Sequence, residues 1–340
     1  KYNEYNIENY KNRAISNSYE PGSTYKIVAL TAAIENLRIN IKDSLNCENG
    51  IYKLKNGHVL HDHEPHKIMS IADVFAFSSN IGMAKISDLL SNQQLYNQSR
   101  KFGFGVNTGV LLPNEESGVL RTIDNWTYQS NKSLAIGQEV SCTTLQLAMA
   151  YSSIANGGYL LQPSIIKSIN NKSIKNSPIV IRTVMKPKTS KIMLSLLERV
   201  VTSGSGTNAY LEGYRIGGKT GTAQKFINKA YSESKYISSF ASVFPIKNPR
   251  YVCVVSIDSP NKNKGKHWGN ETAAPIIKEI YKKIINLKDI KPETFIVSKD
   301  TNNRIYYKNS PISLGIVPDF TGKTLKQAIK VGKNIGIDIK

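Results

Sequence analysis

Ser23 and Lys26 stand three positions apart, where the Pro21-Gly22-Ser23 start gives way to Ile27, Leu30, Ala33 and Ile34 at helical spacing. Positions i and i+3 of a helix share a face, so the Ser23 hydroxyl and the Lys26 amine come within hydrogen-bonding reach. A serine hydroxyl is a poor nucleophile at neutral pH. A lysine held neutral by desolvation and neighbouring cations can take its proton, and the field at a helix N-terminus favours the developing anion. Taken alone, the pair is a weak signal, and a helix start with a solvated lysine is the better reading of it.

Two further triplets change the balance: Ser78-Ser79-Asn80, and Lys219-Thr220-Gly221 followed by Thr222. A second hydroxyl relays a proton, an asparagine amide holds a substrate amide, and a lysine with a hydroxyl grips a carboxylate. A glycine at 221 lets a substrate backbone approach the strand closely. S-x-x-K, S-D-N and K-T-G together mark serine β-lactamases and penicillin-binding proteins. Here the second motif carries Ser79 where that set has Asp.

With the flanking runs Asn12-Arg13-Ala14, Glu20-Pro21-Gly22-Ser23-Thr24, Phe102-Gly103-Phe104-Gly105, Leu145-Gln146-Leu147-Ala148, Ile154-Ala155-Asn156-Gly157-Gly158 and Lys219-Thr220-Gly221-Thr222-Ala223-Gln224, the chain resembles a class B penicillin-binding protein. The likeness is to the transpeptidase domain of the septal, cell-division type and covers residues 10–287. Residues Val317-Pro318-Asp319-Phe320, with Thr324, Leu325 and Ala328, are similar to the opening of a PASTA domain.

The resemblance implies a peptidoglycan D,D-transpeptidase without a cofactor. Its partners would be stem peptides ending in D-Ala-D-Ala, β-lactam antibiotics and membrane proteins of the division machinery. It implies Ser23 as nucleophile, Lys26 as general base, Ser78 as proton relay, Asn80 as ligand of the substrate amide and of Lys26, and Lys219 as an electrostatic tuner of Ser78. Thr220 and Thr222 would take the substrate carboxylate, and the backbone N–H groups of Ser23 and Thr222 the oxyanion. It also implies the extracytoplasmic face of the bacterial inner membrane, with a membrane anchor preceding Lys1.

Two rival readings stay open: a hydrolase of the D,D-carboxypeptidase or β-lactamase kind, and a non-catalytic penicillin-binding scaffold or sensor. Against fast hydrolysis, none of Glu115, Glu116, Glu139, Glu198 and Glu212 sits in an E-x-x-L-N context. The separation of the second and third motifs, 219 − 78 = 141 residues, also suits the longer class B layout.

Positioning these residues requires helices around 81–90, 144–155, 188–202 and 272–285 as well as after Ser23, and strands over 215–225, 238–244 and 251–258. Short turns between the last two strands make them antiparallel, and the order of elements gives an α+β fold with helices packed on a sheet. The family's sheet begins with a hairpin before the serine helix. No strand pattern precedes Ser23 here, so the sheet is expected to hold its three later strands and an exposed edge. Residues 1–287 form the expected catalytic domain, 288–310 a Lys/Asn-rich linker and 311–340 a partial PASTA module.

Other signals take plainer readings. His58, His61, His63 and His66 have irregular spacing and no cysteine among them, so the segment is read as a surface hairpin and not as a metal site. Cys253 reads as a small core residue, and Cys47 as a loop residue whose disulfide state is open. The run Lys262 to Lys266, with His267, lacks the interleaved aromatics of a nucleic-acid surface. Across 340 residues, 45 Lys and Arg against 25 Asp and Glu give a net charge of +20, which favours anionic surroundings but names no reaction.

Overall fold

The computed structural model describes residues 10–174, 177–227, 230–261, 267–293, 296–299 and 305–308. Its helical part is built around α1 (Lys26–Leu37), which follows a tight 3-10 turn at Gly22–Tyr25. Every residue from Lys26 to Ile34 is buried, so this helix runs through the interior and not over a surface. Around it lie α2 (Ile71–Ala76), α3 (Asn80–Asp88), α4 (Asn92–Lys101), α5 (Thr144–Ala155) and α6 (Pro187–Thr202). Tyr25, Leu30, Phe75, Met83, Phe104 and Tyr151 belong to one apolar core shared by these helices. The helix expected over 144–155 has those bounds, fixed by a capping box between Thr143 and Gln146.

Between α1 and α2 the chain makes a small hairpin, β1 (Ile51–Lys53) with β2 (Val59–His61), in the register Ile51↔His61 and Lys53↔Val59. This is the hairpin expected for the His-rich segment. No group of three His, Cys, Asp or Glu side chains among the described residues could hold a metal ion.

The main sheet is three-stranded and antiparallel, in the order β3 (Gly217–Ile227), β4 (Ala230–Phe244), β5 (Tyr251–Asp258). Alternation along β4 and β5 sorts its two faces. Ala241, Val243, Val252 and Val254 join the helical core, whereas Phe240, Phe244, Cys253 and Val255 join a second cluster against α7 (Gly269–Lys288). Lys219 pairs with Ala241, so its side chain enters the helical side. No strand pairs with the outer edge of β5 among the described residues. Ser18–Tyr19, the strand that precedes Ser23, pairs with Val140–Thr143 and not with the main sheet.

Two further features bear on the sequence reading. Within the expected linker, α7 continues to Lys288, and Ile296–Lys299 pairs antiparallel with Ile305–Lys308. Ile, Val and Tyr in these two stretches are strand formers that outweigh the polar residues flanking them. Cys47 lies in a loop but is wholly buried, and it, Cys142 and Cys253 are all free thiols. The PASTA-like segment and the basic run 262–266 lie outside the described residues. Among the described residues, no helix is long and apolar enough to cross a membrane.

Candidate active site

The three motifs converge although the chain separates them widely. Ser23 sits in the 3-10 turn, half-buried, and faces a cleft of about 600 Å³ also lined by Ser78, Asn80, Thr220 and Thr222. Lys26 and Lys219 stand behind these groups, with no exposed surface.

Backbone close approach sets the Ser23 turn. Gly22 has a φ of +54°, and a Cβ there would lie 3.2 Å from the Thr222 carbonyl oxygen. The Gly22 N–H donates to the Gly137 carbonyl at 3.1 Å, and the Tyr151 hydroxyl donates to the Thr24 carbonyl at 3.0 Å. Gly221 meets a packing constraint. A Cβ at 221 would fall 2.4 Å from Ser239 Oγ and 2.8 Å from the Pro21 carbonyl oxygen, so its missing side chain makes room for the serine turn.

Lys26 reaches the second motif. Its ammonium donates to the Ser78 carbonyl at 2.5 Å, to Ser78 Oγ at 3.2 Å and to Asn80 Oδ1 at 2.8 Å. These partners match the three donors of a charged lysine, and among the described residues no hydrogen bond joins it to Ser23 Oγ. Burial nevertheless pulls its pKa from 10.5 to about 7, the Asp62 carboxylate opposing the fall. On losing a proton the amine keeps two donors and gains a lone pair, which can receive the proton of a neighbouring hydroxyl.

Lys219 is held well below its ordinary pKa, first by burial and second by the charge of Lys26. Its ammonium lies 5.9 Å from the centre of the Phe75 ring and within 3.4 Å of the Thr220 hydroxyl. Thr220 Oγ1 in turn lies 3.0 Å from Ser205 Oγ, and Thr222 Oγ1 accepts the Gly269 N–H at 3.1 Å. Hydroxyls backed by the Lys219 amine therefore line the cleft.

Ser78 takes a φ of +65°, which a non-glycine residue adopts only when its surroundings hold it there, and Ser79 caps α3 by accepting the Gly82 N–H at 2.9 Å. Sequence reasoning missed Asp62, whose carboxylate accepts from this same turn, because the residue was weighed only as a metal ligand. It also missed the aromatic rim, in which the His63 and Trp268 rings lie 4.3 Å apart. Tertiary contact alone carries that signal.

Three of the five acids considered as hydrolytic bases are engaged elsewhere. Glu198 binds Arg215 through both oxygens at 2.6 and 2.7 Å, Glu115 accepts the Thr108 N–H at 2.8 Å, and Glu139 pairs with Arg121. None of them lines the cleft, where the acids are Glu64 and Glu271.

Comparison with known proteins gives a consistent picture. The penicillin binding protein transpeptidase domain matches residues 1–282. Stage V sporulation protein D of Bacillus subtilis is 32% identical over 335 residues, covering 96% of this chain and 50% of that protein. Peptidoglycan D,D-transpeptidase FtsI of Buchnera aphidicola is 33% identical over 288 residues, covering 84% of this chain and 49% of that protein. The chain thus spans about half the length of the curated relatives it matches. Penicillin-binding protein 3 of Mycobacterium tuberculosis, solved in complex with ampicillin, superposes with a TM-score of 0.75 at 33% identity, covering 83% of this chain and 65% of that one. A match over residues 1–282 takes in all three motifs and every wall of the cleft, and by it the chain belongs to the penicillin-binding protein transpeptidase domain family.

Proposed function

We propose that the chain is the catalytic part of a peptidoglycan D,D-transpeptidase acylated at Ser23. One observation carries the reading: a buried lysine with a pKa near 7, bonded to Ser78 and Asn80, stands behind a serine that opens into the same cleft as Thr220 and Thr222.

Ser23 Oγ attacks the carbonyl of the penultimate D-Ala while neutral Lys26 takes its proton. The new C–O bond gives a tetrahedral anion, and in this reading the backbone N–H groups of Ser23 and Thr222 receive it. The C–N bond to the terminal D-Ala then breaks, and its nitrogen takes a proton through Ser78 from Lys26. An amine of a second stem peptide attacks the ester, its proton returns along the same path, and Ser23 is released with an amide cross-link formed. Asn80 Oδ1 holds Lys26 while the second hydrogen of its Nδ2 is offered to the substrate amide carbonyl, Lys219 lowers the cost of charge on Ser78, and Thr220 and Thr222 grip the terminal carboxylate. β-Lactams present the same carbonyl and carboxylate and acylate the same serine.

Transfer is favoured over hydrolysis because the cleft acids, Glu64 and Glu271, are exposed at its rim and none stands beside Ser23 in the manner of a deacylating base. By likeness to the division-type relatives, the setting is the extracytoplasmic face of the bacterial inner membrane, among membrane proteins of septum formation. The test is product analysis with a D-Ala-D-Ala donor and a free amine acceptor. Dimeric cross-linked product exceeding free acid supports transfer, and free acid alone, at any acceptor concentration, assigns a hydrolase.

A further inference from the structure

The inference rests on the acyl-transfer reading of Ser23, Lys26, Ser78 and Asn80, and concerns what holds the last two in place. Both lie in the turn entering α3, where Ser78 keeps its unfavourable φ. Asp62 follows β2 and fastens this turn. Its Oδ1 accepts the Asn80 N–H at 2.5 Å and the Ile81 N–H at 3.0 Å, and its Oδ2 accepts the Ser79 hydroxyl at 2.5 Å. The carboxylate is itself anchored, because the Asp62 N–H donates to the Gly50 carbonyl at 3.0 Å. Next to it, the His61 carbonyl accepts Asn80 Nδ2 at 3.1 Å. An amide whose nitrogen is held there can only turn its oxygen toward the Lys26 ammonium, 2.8 Å away.

We infer that Asp62, helped by the His61 carbonyl, is a positioning residue for acyl transfer: it locks the 78–81 turn so that Ser78 and Asn80 converge on Lys26. The hairpin β1–β2 is thereby part of the active site although no atom of it need touch the reacting bond.

Asp62 also has an electrostatic effect that mere structural support would lack. The charged groups facing Lys26 are Asp62, from the segment after β2, and Lys219, on β3. Asp62 favours the ammonium form against burial. Removing its charge lowers the pKa of Lys26 further, so the acid limb of acylation moves to lower pH even as misplacement of Ser78 and Asn80 slows the reaction.

The experiment measures acylation of the full chain by a fluorescent penicillin from pH 5.5 to 9, separating non-covalent binding from the acylation step, with melting temperature as a control. For Asp62→Asn the expected results are an acylation rate constant about tenfold or more lower, binding changed by no more than about threefold, and an acid limb displaced about half a unit or more toward acid. Ser79→Ala, which removes only the bond to Oδ2, leaves the limb where it was. Asp62→Glu keeps the charge on a longer arm, and is expected to react slowly with an unmoved limb. This second variant decides the matter if Asp62→Asn does not fold. Wild-type rate in either Asp62 variant overturns the inference, as does an Asp62→Asn loss that follows melting temperature with the limb unmoved. If the unmodified chain is itself not acylated at Ser23, the acyl-transfer reading falls and the positioning role falls with it. Acylation of the unmodified chain with indifferent variants sinks the positioning role alone.

Discussion

The Lys26 ammonium and Asn80 Oδ1 lie 2.8 Å apart, joining α1 to α3 across a site from which solvent is excluded around the lysine. A neutral acceptor at that distance holds the amine without stabilising its charge as a carboxylate would. Asn80→Asp should therefore raise the pKa of Lys26 by about one to three units. Acylation at pH 7 should fall about tenfold or more and recover as pH is raised. A rate loss equal at all pH values would show that Asn80 acts otherwise.

Proton demand by Lys26 fixes the pH profile of the unmodified chain. The general base must be neutral, and with a pKa near 7 it becomes protonated below that value. The acylation rate constant is expected to be flat above about pH 8 and to drop about tenfold per unit below 7. Stopped-flow acylation across pH 5.5–9 measures this. A profile with no inflection near 7 would remove Lys26 from the role of base.

Gly221 makes a prediction about packing. A methyl at this position meets Ser239 Oγ at 2.4 Å and the Pro21 carbonyl oxygen at 2.8 Å, so Gly221→Ala must push β3 and the serine turn apart. The cost in stability is expected to be about 1–3 kcal/mol, with acylation lost disproportionately because the displaced segment carries Ser23. Chemical denaturation and acylation measured on the same sample would check both. A stable, fully reactive Gly221→Ala would mean that the two segments do not approach so closely.

Thr222 lines the cleft with a hydroxyl already anchored by the Gly269 N–H at 3.1 Å. Thr222→Val keeps the shape and removes the polar contact. For a peptide with a free terminal carboxylate, KM should rise about tenfold, whereas a peptide amidated at that end should be equally poor with either protein. An equal loss for both peptides would place the carboxylate elsewhere.

The chemistry was more legible in the chain than the contacts that enforce it. Ser23, Lys26, Ser78, Asn80, Lys219, Thr220 and Thr222 are named by short motifs, and the fold has them around one site. Helix α5 and strand β5 declare their bounds through apolar spacing and a capping box. Spacing could not tell that Lys26 prefers Ser78 and Asn80, more than fifty residues away, to its neighbour Ser23. The packing demand at Gly221 was hidden for a related reason, since the atoms that require a glycine come from Pro21 and Ser239. Asp62 sat among histidines that drew attention to metals, while its carboxylate was committed to the Ser79 hydroxyl and to backbone N–H groups eighteen and nineteen positions on. The strands at Ile296–Lys299 and Ile305–Lys308 were hidden by a Lys- and Asn-rich composition that says little about pairing.

All of these predictions presuppose a covalent bond at one oxygen. Intact-mass and peptide-level mass spectrometry of the chain incubated with benzylpenicillin is the most direct measurement. The expected result is a single added penicilloyl group, located on the peptide containing Ser23 and absent from Ser23→Ala. An adduct on another residue, or one that persists in Ser23→Ala, would contradict the account.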